Sequence, residues 1–177
     1  MILRPTGVLF TAIIGKTMTA NPVTPPSSYV TLGVGEDRFA VGVQTVREIL
    51  DNSRPMAHLP NAPAFLQGVI DVRGCMVPVV DLCLKLGLPA STPTDDTRIL
   101  VLDFTLVGRV LVVGLLVDRV FEVAEMQTDD LNVVPDIGIH WKSEFIQAIG
   151  RLDGRFIVIL DLEHLFNSSE IASLKLQ

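Results

Sequence analysis

The chain has 177 residues, with 14 Lys and Arg against 20 Asp and Glu, so its formal net charge is −6. This charge argues against the broad basic surface that nucleic-acid binding requires. Hydrophobic residues make up 49% and the mean hydropathy is +0.47, which excludes a disordered chain.

The longest apolar run in the body of the chain, residues 110–117, contains eight residues. A membrane-spanning helix needs about 20 apolar residues, so we expect no direct membrane insertion. The excess apolar surface therefore belongs in a dense core or under other proteins.

The first 27 residues differ in kind from the rest of the chain. Residues 7–14 have the outline of a weak signal peptide, but the apolar stretch is short and Thr11 interrupts it. We interpret residues 1–27 as a flexible or dispensable extension. The remainder divides into one domain, 28–167, and a C-terminal tail, 168–177.

Short β-rich runs separated by Gly, Asp or Pro begin at Tyr29 and predict strands joined by tight turns. Four hairpins are predicted: 29–34 with 38–41, 68–72 with 75–80, 97–104 with 109–117, and 145–152 with 156–160. The last hairpin turns at Asp153-Gly154, a dipeptide typical of a type I′ turn.

Two short helices are expected, at 82–86 and 162–166, because Asp81 and Asp161 are good N-cap residues. Each follows a strand in the same way, which hints at two related halves. About ten strands at short spacing indicate an all-β fold of two small barrels that share a core.

The residue types that carry chemistry are scattered. His58, His140 and His164 have no metal-ligand spacing, and neither cysteine has a neighbouring base that would activate it as a nucleophile. Cys75 and Cys83 also lack a second Cys or His at ligand spacing, so we interpret both as free thiols in a reducing cytoplasm. The sequence predicts no catalytic residue, metal site or cofactor.

Two charges stand in unusual places. Glu48 interrupts the apolar segment 46–49, and Arg73 stands at a hairpin tip between apolar residues. A half-buried charge needs a partner, so the two side chains are candidates for an ion pair. Such a pair would fix how two hairpins meet, contact a binding partner, or do both.

Several strings together resemble the CheW adaptor family of bacterial chemotaxis, over about residues 29–166. They are FAVGV at 39–43, VREI at 46–49, LPNAPAFLQGVIDVRG at 59–74, VPVVDL at 77–82, GLLVDRV at 114–120, the segment around Pro135, and residues 150–165. The resemblance implies two intertwined five-stranded SH3-like barrels with a shared hydrophobic core and one or two short helices.

The resemblance also implies a non-enzymatic adaptor that binds two partners in the cytoplasm. These are the cytoplasmic hairpin tip of a chemoreceptor and the regulatory domain of the CheA histidine kinase, assembled in membrane-associated receptor arrays. The alternative from the residues alone is a small-ligand-binding or catalytic β-barrel that uses the cleft between its two halves.

The family's receptor-binding positions correspond to Val46, Glu48, Gly68 and Arg73, and less securely to Val117 and Val120 in a Val-Asp-x-Val strand. The resemblance implies that a groove between the barrels receives an apolar stripe of the helical receptor hairpin. Kinase contacts are expected on the strand edges of one barrel, with no residue assigned. Asp71-Val72 departs from the family's frequent Asn-Leu, which changes the charge beside Arg73.

Overall fold

A computed structural model of the chain describes residues 28–126 and 143–166. The predicted extension, the tail, the Pro135 segment and His140 lie outside these residues. The described part contains ten strands: β1 (Ser28–Val34), β2 (Asp37–Gly42), β3 (Val46–Asp51), β4 (Leu66–Val72), β5 (Cys75–Asp81), β6 (Arg98–Leu106), β7 (Arg109–Val117), β8 (Arg119–Glu125), β9 (Ile146–Leu152) and β10 (Arg155–Leu160).

Two α-helices of one turn each, α1 (Leu82–Lys85) and α2 (Leu162–Leu165), follow β5 and β10. The predicted all-β fold with short helices is confirmed. Among the helices in the described ranges, none has the length and apolar character needed to cross a membrane.

The strands form two five-stranded sheets, each curled like a half-barrel. The first sheet has the order β8-β1-β2-β10-β9, and the second has the order β3-β6-β7-β5-β4. Two contacts are parallel, between β2 and β10 and between β5 and β7, and the other pairs are antiparallel.

The two halves of the chain exchange strands. Hairpin β1–β2 belongs to the first sheet, but β3, the next strand, joins the second sheet. Hairpin β6–β7 belongs to the second sheet, and its next strand, β8, joins the first. Neither sheet is therefore made from one continuous stretch of chain, which confirms the intertwined arrangement.

One structural unit occurs twice, 80 positions apart, as hairpin β4–β5 with α1 and hairpin β9–β10 with α2. The amide of Asp81 donates to the carbonyl of Phe65 at 2.8 Å, and that of Asp161 donates to Phe145 at 2.9 Å. Each carboxylate then accepts the N–H three residues later, as an N-cap does. The predicted relation between the halves is therefore present at this level.

Both hairpin tips of this repeated unit turn through two residues with positive φ. The angles are 54° and 84° at Arg73-Gly74, and 50° and 76° at Asp153-Gly154. Positive φ at both central residues is the mark of a type I′ turn, whose twist matches that of the paired strands. The tip therefore projects the Arg73 side chain from a tightly defined backbone.

Apolar residues lie on both faces of each sheet. A central cluster between the sheets includes Leu32, Leu100 and Phe166, whereas Tyr29 and Val101 belong to separate clusters on the opposite faces. Successive side chains of a strand point to opposite faces, so two adjacent apolar residues of one strand can both be buried. This arrangement accounts for the long apolar runs and confirms the shared core.

The buried N-cap predicts a pH-dependent stability. Burial raises the pKa of the Asp81 carboxyl, and the nearby Asp118 carboxylate also raises it. Folding therefore favours the neutral acid, and its benefit is lost as the pH rises from about 4 through the raised pKa.

We expect Asp81→Asn, which keeps a capping oxygen, to gain stability relative to wild type over this pH range. Asp81→Ala should instead lose about 1 kcal/mol with the cap. Urea unfolding at several pH values measures both effects. Asp161→Asn, at the more exposed cap, is the control below about pH 6, where its partner His164 stays protonated. A constant difference between wild type and Asp81→Asn from pH 4 to pH 7 would contradict the prediction.

Candidate partner-binding site

The two outermost strands of the second sheet, β3 and β4, do not pair with each other. The connection between them includes residues 54–58, which we call the strap and which lies along the outer edge of β4. Ala57 and Val69 exchange two backbone hydrogen bonds of 2.9 Å, and His58 Nδ1 lies 2.9 Å from the carbonyl oxygen of Gln67. The strap thus covers an edge that would otherwise be open to pairing with another chain.

A second link between these outermost elements is an ion pair. Arg73 Nε lies 3.2 Å from Glu48 Oε1, and Arg73 Nη2 donates to Glu48 Oε2 at 3.4 Å. The pair joins the middle of β3 to the tip of hairpin β4–β5. We call the strap and this ion pair together the seam of the second sheet.

The two partners of the ion pair differ strongly in exposure. The Glu48 side chain is 18% exposed and lies opposite the fully buried Val101, whereas the Arg73 side chain is 78% exposed. A largely covered carboxylate without a counter-charge is costly, and the guanidinium supplies that charge. The predicted contact between the side chains is therefore present, and contact with a receptor stays a prediction.

Arg73 keeps unused binding capacity at the surface. A guanidinium has five N–H donors, and the contacts to Glu48 involve Nε and Nη2. Beside it, the Asp71 carboxylate accepts the Gly74 N–H at 2.7 Å, which steadies the turn. The arrangement holds an arginine that can still bind a carboxylate or a carbonyl of a partner.

Gly68 contributes through the backbone. It is buried, and a Cβ atom there would lie 2.5 Å from the Ala57 carbonyl oxygen and 2.7 Å from Met56 Cγ. Only glycine lets the strap approach β4 this closely. Its predicted influence on receptor binding would therefore act through the position of the strap.

Val46 and Val120 lie at the margin of the central cluster. Each is partly buried, Val46 in β3 and Val120 in β8, which are outermost strands of different sheets. The central cluster itself occupies the space between the sheets, so the predicted groove would be confined to its margin. Receptor contact by either valine stays a prediction.

The placement of Val117 and Val120 in one strand is wrong. Val117 ends β7 in the second sheet and is 2% exposed, whereas Val120 belongs to β8 in the first sheet. Asp118 marks the passage between the sheets. Burial leaves Val117 almost no surface for a partner, and its predicted receptor role is untested.

Asp118 is a positioning residue that sequence reasoning missed. Its carboxylate accepts the Gly35 N–H at 2.6 Å and the Ser91 hydroxyl, while its own N–H donates to Gly33 O at 3.1 Å. These contacts fix the passage from β7 to β8 against hairpin β1–β2. The sequence signal that could have revealed this role is the single aspartate that stands between two apolar runs.

The described residues offer little for chemistry or for a small ligand. A cavity of about 160 Å³ is lined partly by Asp81, Ser91, Val117 and Asp118, whereas ligand pockets usually measure about 300–1,000 Å³. Within the same residues, no group of three His, Cys, Asp or Glu side chains could hold a metal ion. This cavity does not favour the alternative of a ligand-binding barrel.

Both thiols are free, and the buried one is not activated as a nucleophile. Cys75 is exposed at a hairpin tip and Cys83 is buried, where burial raises the pKa of its thiol. His164 Nδ1–H donates to the Asp161 carboxylate at 2.8 Å, and this contact raises the pKa of the imidazole. A raised thiol pKa disfavours the reactive thiolate.

Comparison with known proteins gives one consistent result. A family model described as a CheW-like domain matches residues 28–170. The chain is 35% identical over 137 residues to the chemotaxis protein CheW of Rhizobium meliloti, covering 77% of this chain and 85% of that protein. It is 33% identical over 94 residues to protein PilI of Pseudomonas aeruginosa, covering 53% and 50%.

A solved structure shares the fold. The crystal structure of the scaffolding protein TtCheW from Thermoanaerobacter tengcongensis matches with a TM-score of 0.72 and 26% sequence identity. The match covers 82% of this chain and 90% of that one. The similarity extends over most of both chains, as it does for the relative from Rhizobium meliloti.

The close approach at Gly68 predicts that Gly68→Ala destabilises the fold by about 1–3 kcal/mol, because the strap has to move. The matched control is Gly33→Ala, whose Cβ would meet the movable side chains of Arg119 and Phe121 at 3.0–3.3 Å. Urea unfolding measures both changes. Equal losses for the two variants would contradict a special role for the contact between the strap and β4.

Proposed function

The chain belongs to the CheW-like family, and on that premise we propose that it couples the cytoplasmic tip of a chemoreceptor to a CheA-type histidine kinase. The family consists of scaffolding and adaptor proteins of chemotaxis rather than enzymes, and this chain is an adaptor in the same sense. It acts in the cytoplasm, where receptors in the membrane recruit it into signalling arrays. It binds both partners and converts neither chemically.

The exposed Arg73 held by Glu48 is the observation that carries the receptor half of the proposal. An arginine that is already oriented by an ion pair loses less conformational entropy when it binds a carboxylate or a backbone carbonyl. Its planar fork suits bidentate recognition. The seam thus presents one prepared polar anchor to the receptor.

Exposed apolar side chains on β3 and β5 supply a second part of the proposed contact surface. Ile49, the next residue after Glu48 on β3, points to the opposite face of that strand and is 44% exposed, and Met76 on β5 is 60% exposed. A helical receptor hairpin can place an apolar stripe against such residues while a polar group meets Arg73. Val46 lies on the same strand as Ile49 and would extend this surface.

Kinase activity in receptor-containing membranes tests the adaptor role directly. Autophosphorylation of the cognate CheA kinase should rise by an order of magnitude or more when receptor and this protein are present together. Omitting either one should abolish the rise. Binding to neither partner would overturn the proposal, and binding to both without activation would limit the role to assembly.

A charge-reversal cycle tests the receptor surface. We expect Arg73→Glu to weaken receptor binding about 10–100-fold, because a charge-assisted hydrogen bond is worth about 1.5–3 kcal/mol. Combining it with Glu48→Arg should restore part of the affinity, because the pair re-forms in reverse. Co-sedimentation with receptor-containing vesicles measures the affinity.

Asp153→Arg is the matched control, because Asp153 occupies the tip of the equivalent hairpin 80 positions later. It should leave receptor affinity unchanged. Full receptor affinity in Arg73→Glu would remove Arg73 from the proposed interface. Absence of rescue in the double variant would leave Arg73 as a contact residue without coupling to Glu48.

A further inference from the structure

The second copy of the repeated hairpin presents a different surface from the first. Asp71 pairs with Met76 across hairpin β4–β5, and Arg151 pairs with Phe156 across hairpin β9–β10 at the equivalent positions. The charge is reversed between the two pairs. The fold is therefore repeated, but the chemistry at the tip is not.

Phe156 is the apolar centre of the second tip. Its side chain is 68% exposed, and the Arg151 guanidinium carbon lies 5.1 Å from the centre of the ring. A cation at this distance interacts favourably with the ring face and restricts both side chains. The aromatic ring therefore lies at the surface beside a guanidinium group.

The arginines of this tip have no carboxylate partner among the residues that the structure describes. Within residues 28–126 and 143–166, neither Arg151 nor Arg155 has a carboxylate within 4.0 Å, whereas Arg73 at the equivalent tip is paired with Glu48. Both are exposed, on a chain whose net charge is −6. Exposed aromatic and arginine side chains together are typical of the energetic centres of protein interfaces.

We propose that Arg151, Arg155 and Phe156 form the docking surface for the regulatory domain of the kinase. The complementary surface is an apolar pocket for the Phe156 ring, bordered by carboxylates that meet the guanidinium groups of Arg151 and Arg155. This inference rests on the proposed function, in which the receptor uses the seam. An adaptor needs a second surface, and this tip belongs to the other sheet.

Isothermal titration of the full-length chain with the purified regulatory domain of the cognate kinase tests the inference. Phe156→Ser should weaken binding about 30-fold or more, as expected for an interface centre. The double variant Arg151→Glu, Arg155→Glu should weaken it at least about 10-fold, and less so at high salt. Val110→Ser is the matched control, because Val110 is an apolar side chain of similar exposure, 66%, on β7 of the second sheet, and it should bind the kinase domain as wild type does.

Receptor co-sedimentation, sedimentation velocity and urea unfolding complete the test. The inference predicts that both tip variants bind receptor and unfold like wild type. Wild-type affinity for the kinase domain in both variants would overturn it and leave the proposed function intact. If the tip variants instead lose receptor binding or self-association, the tip binds the receptor or a second copy of the chain and the inference is wrong. If the wild-type chain does not bind the kinase domain, the proposed function itself is overturned.

Discussion

The exchange of strands between the two halves of the chain is the constraint on which the rest of the structure depends. Strand β3 follows a hairpin of the first sheet but joins the second, and β8 follows a hairpin of the second sheet but joins the first. Because of this exchange, the two sheets are held face to face. The central cluster fills the space between them with residues from both. Separating the sheets would expose this cluster and break strand pairing at the same time. The two sheets are therefore expected to unfold together, in one cooperative transition.

The seam is a direct consequence of that exchange. Strand β3 follows a hairpin of the first sheet and pairs only with β6, so it lies at the opposite end of the second sheet from β4. The curled sheet therefore remains open between β3 and β4. The strap closes part of the opening through Ala57 and Val69, and the ion pair closes another part through Glu48 and Arg73. The opening between β3 and β4 is thus the place where the sheet presents an exposed, oriented arginine that can bind a partner.

Local patterns were sufficient for the hairpins and the helix caps. Asp153-Gly154 encodes its turn in its own conformational preferences, and Asp81 and Asp161 cap helices through contacts only three residues long. The Glu48–Arg73 contact was also predictable, since a half-buried charge requires compensation. What these predictions share is that the reason for each lies in the residues themselves.

The remaining features depend on partners distant in sequence. A strand between Val117 and Val120 looked continuous because both sides of Asp118 are apolar, yet the two valines belong to different sheets. The role of Gly68 depends on how closely residues 56–57 approach it, which no local pattern encodes. Periodicity shows that a residue is buried, but it does not show which strand crosses to which sheet.

The parallel contact between β2 and β10 also governs when the protein can fold. Phe39 pairs with Val158, 119 positions further along the chain, so the first sheet cannot close until β10 has left the ribosome. Contacts this distant in sequence slow folding, because a long loop must be closed before they form. During synthesis, the edge of β2 that pairs with β10 therefore stays unpaired until β10 has been made. A complete adaptor surface exists only once nearly the whole domain has been synthesised.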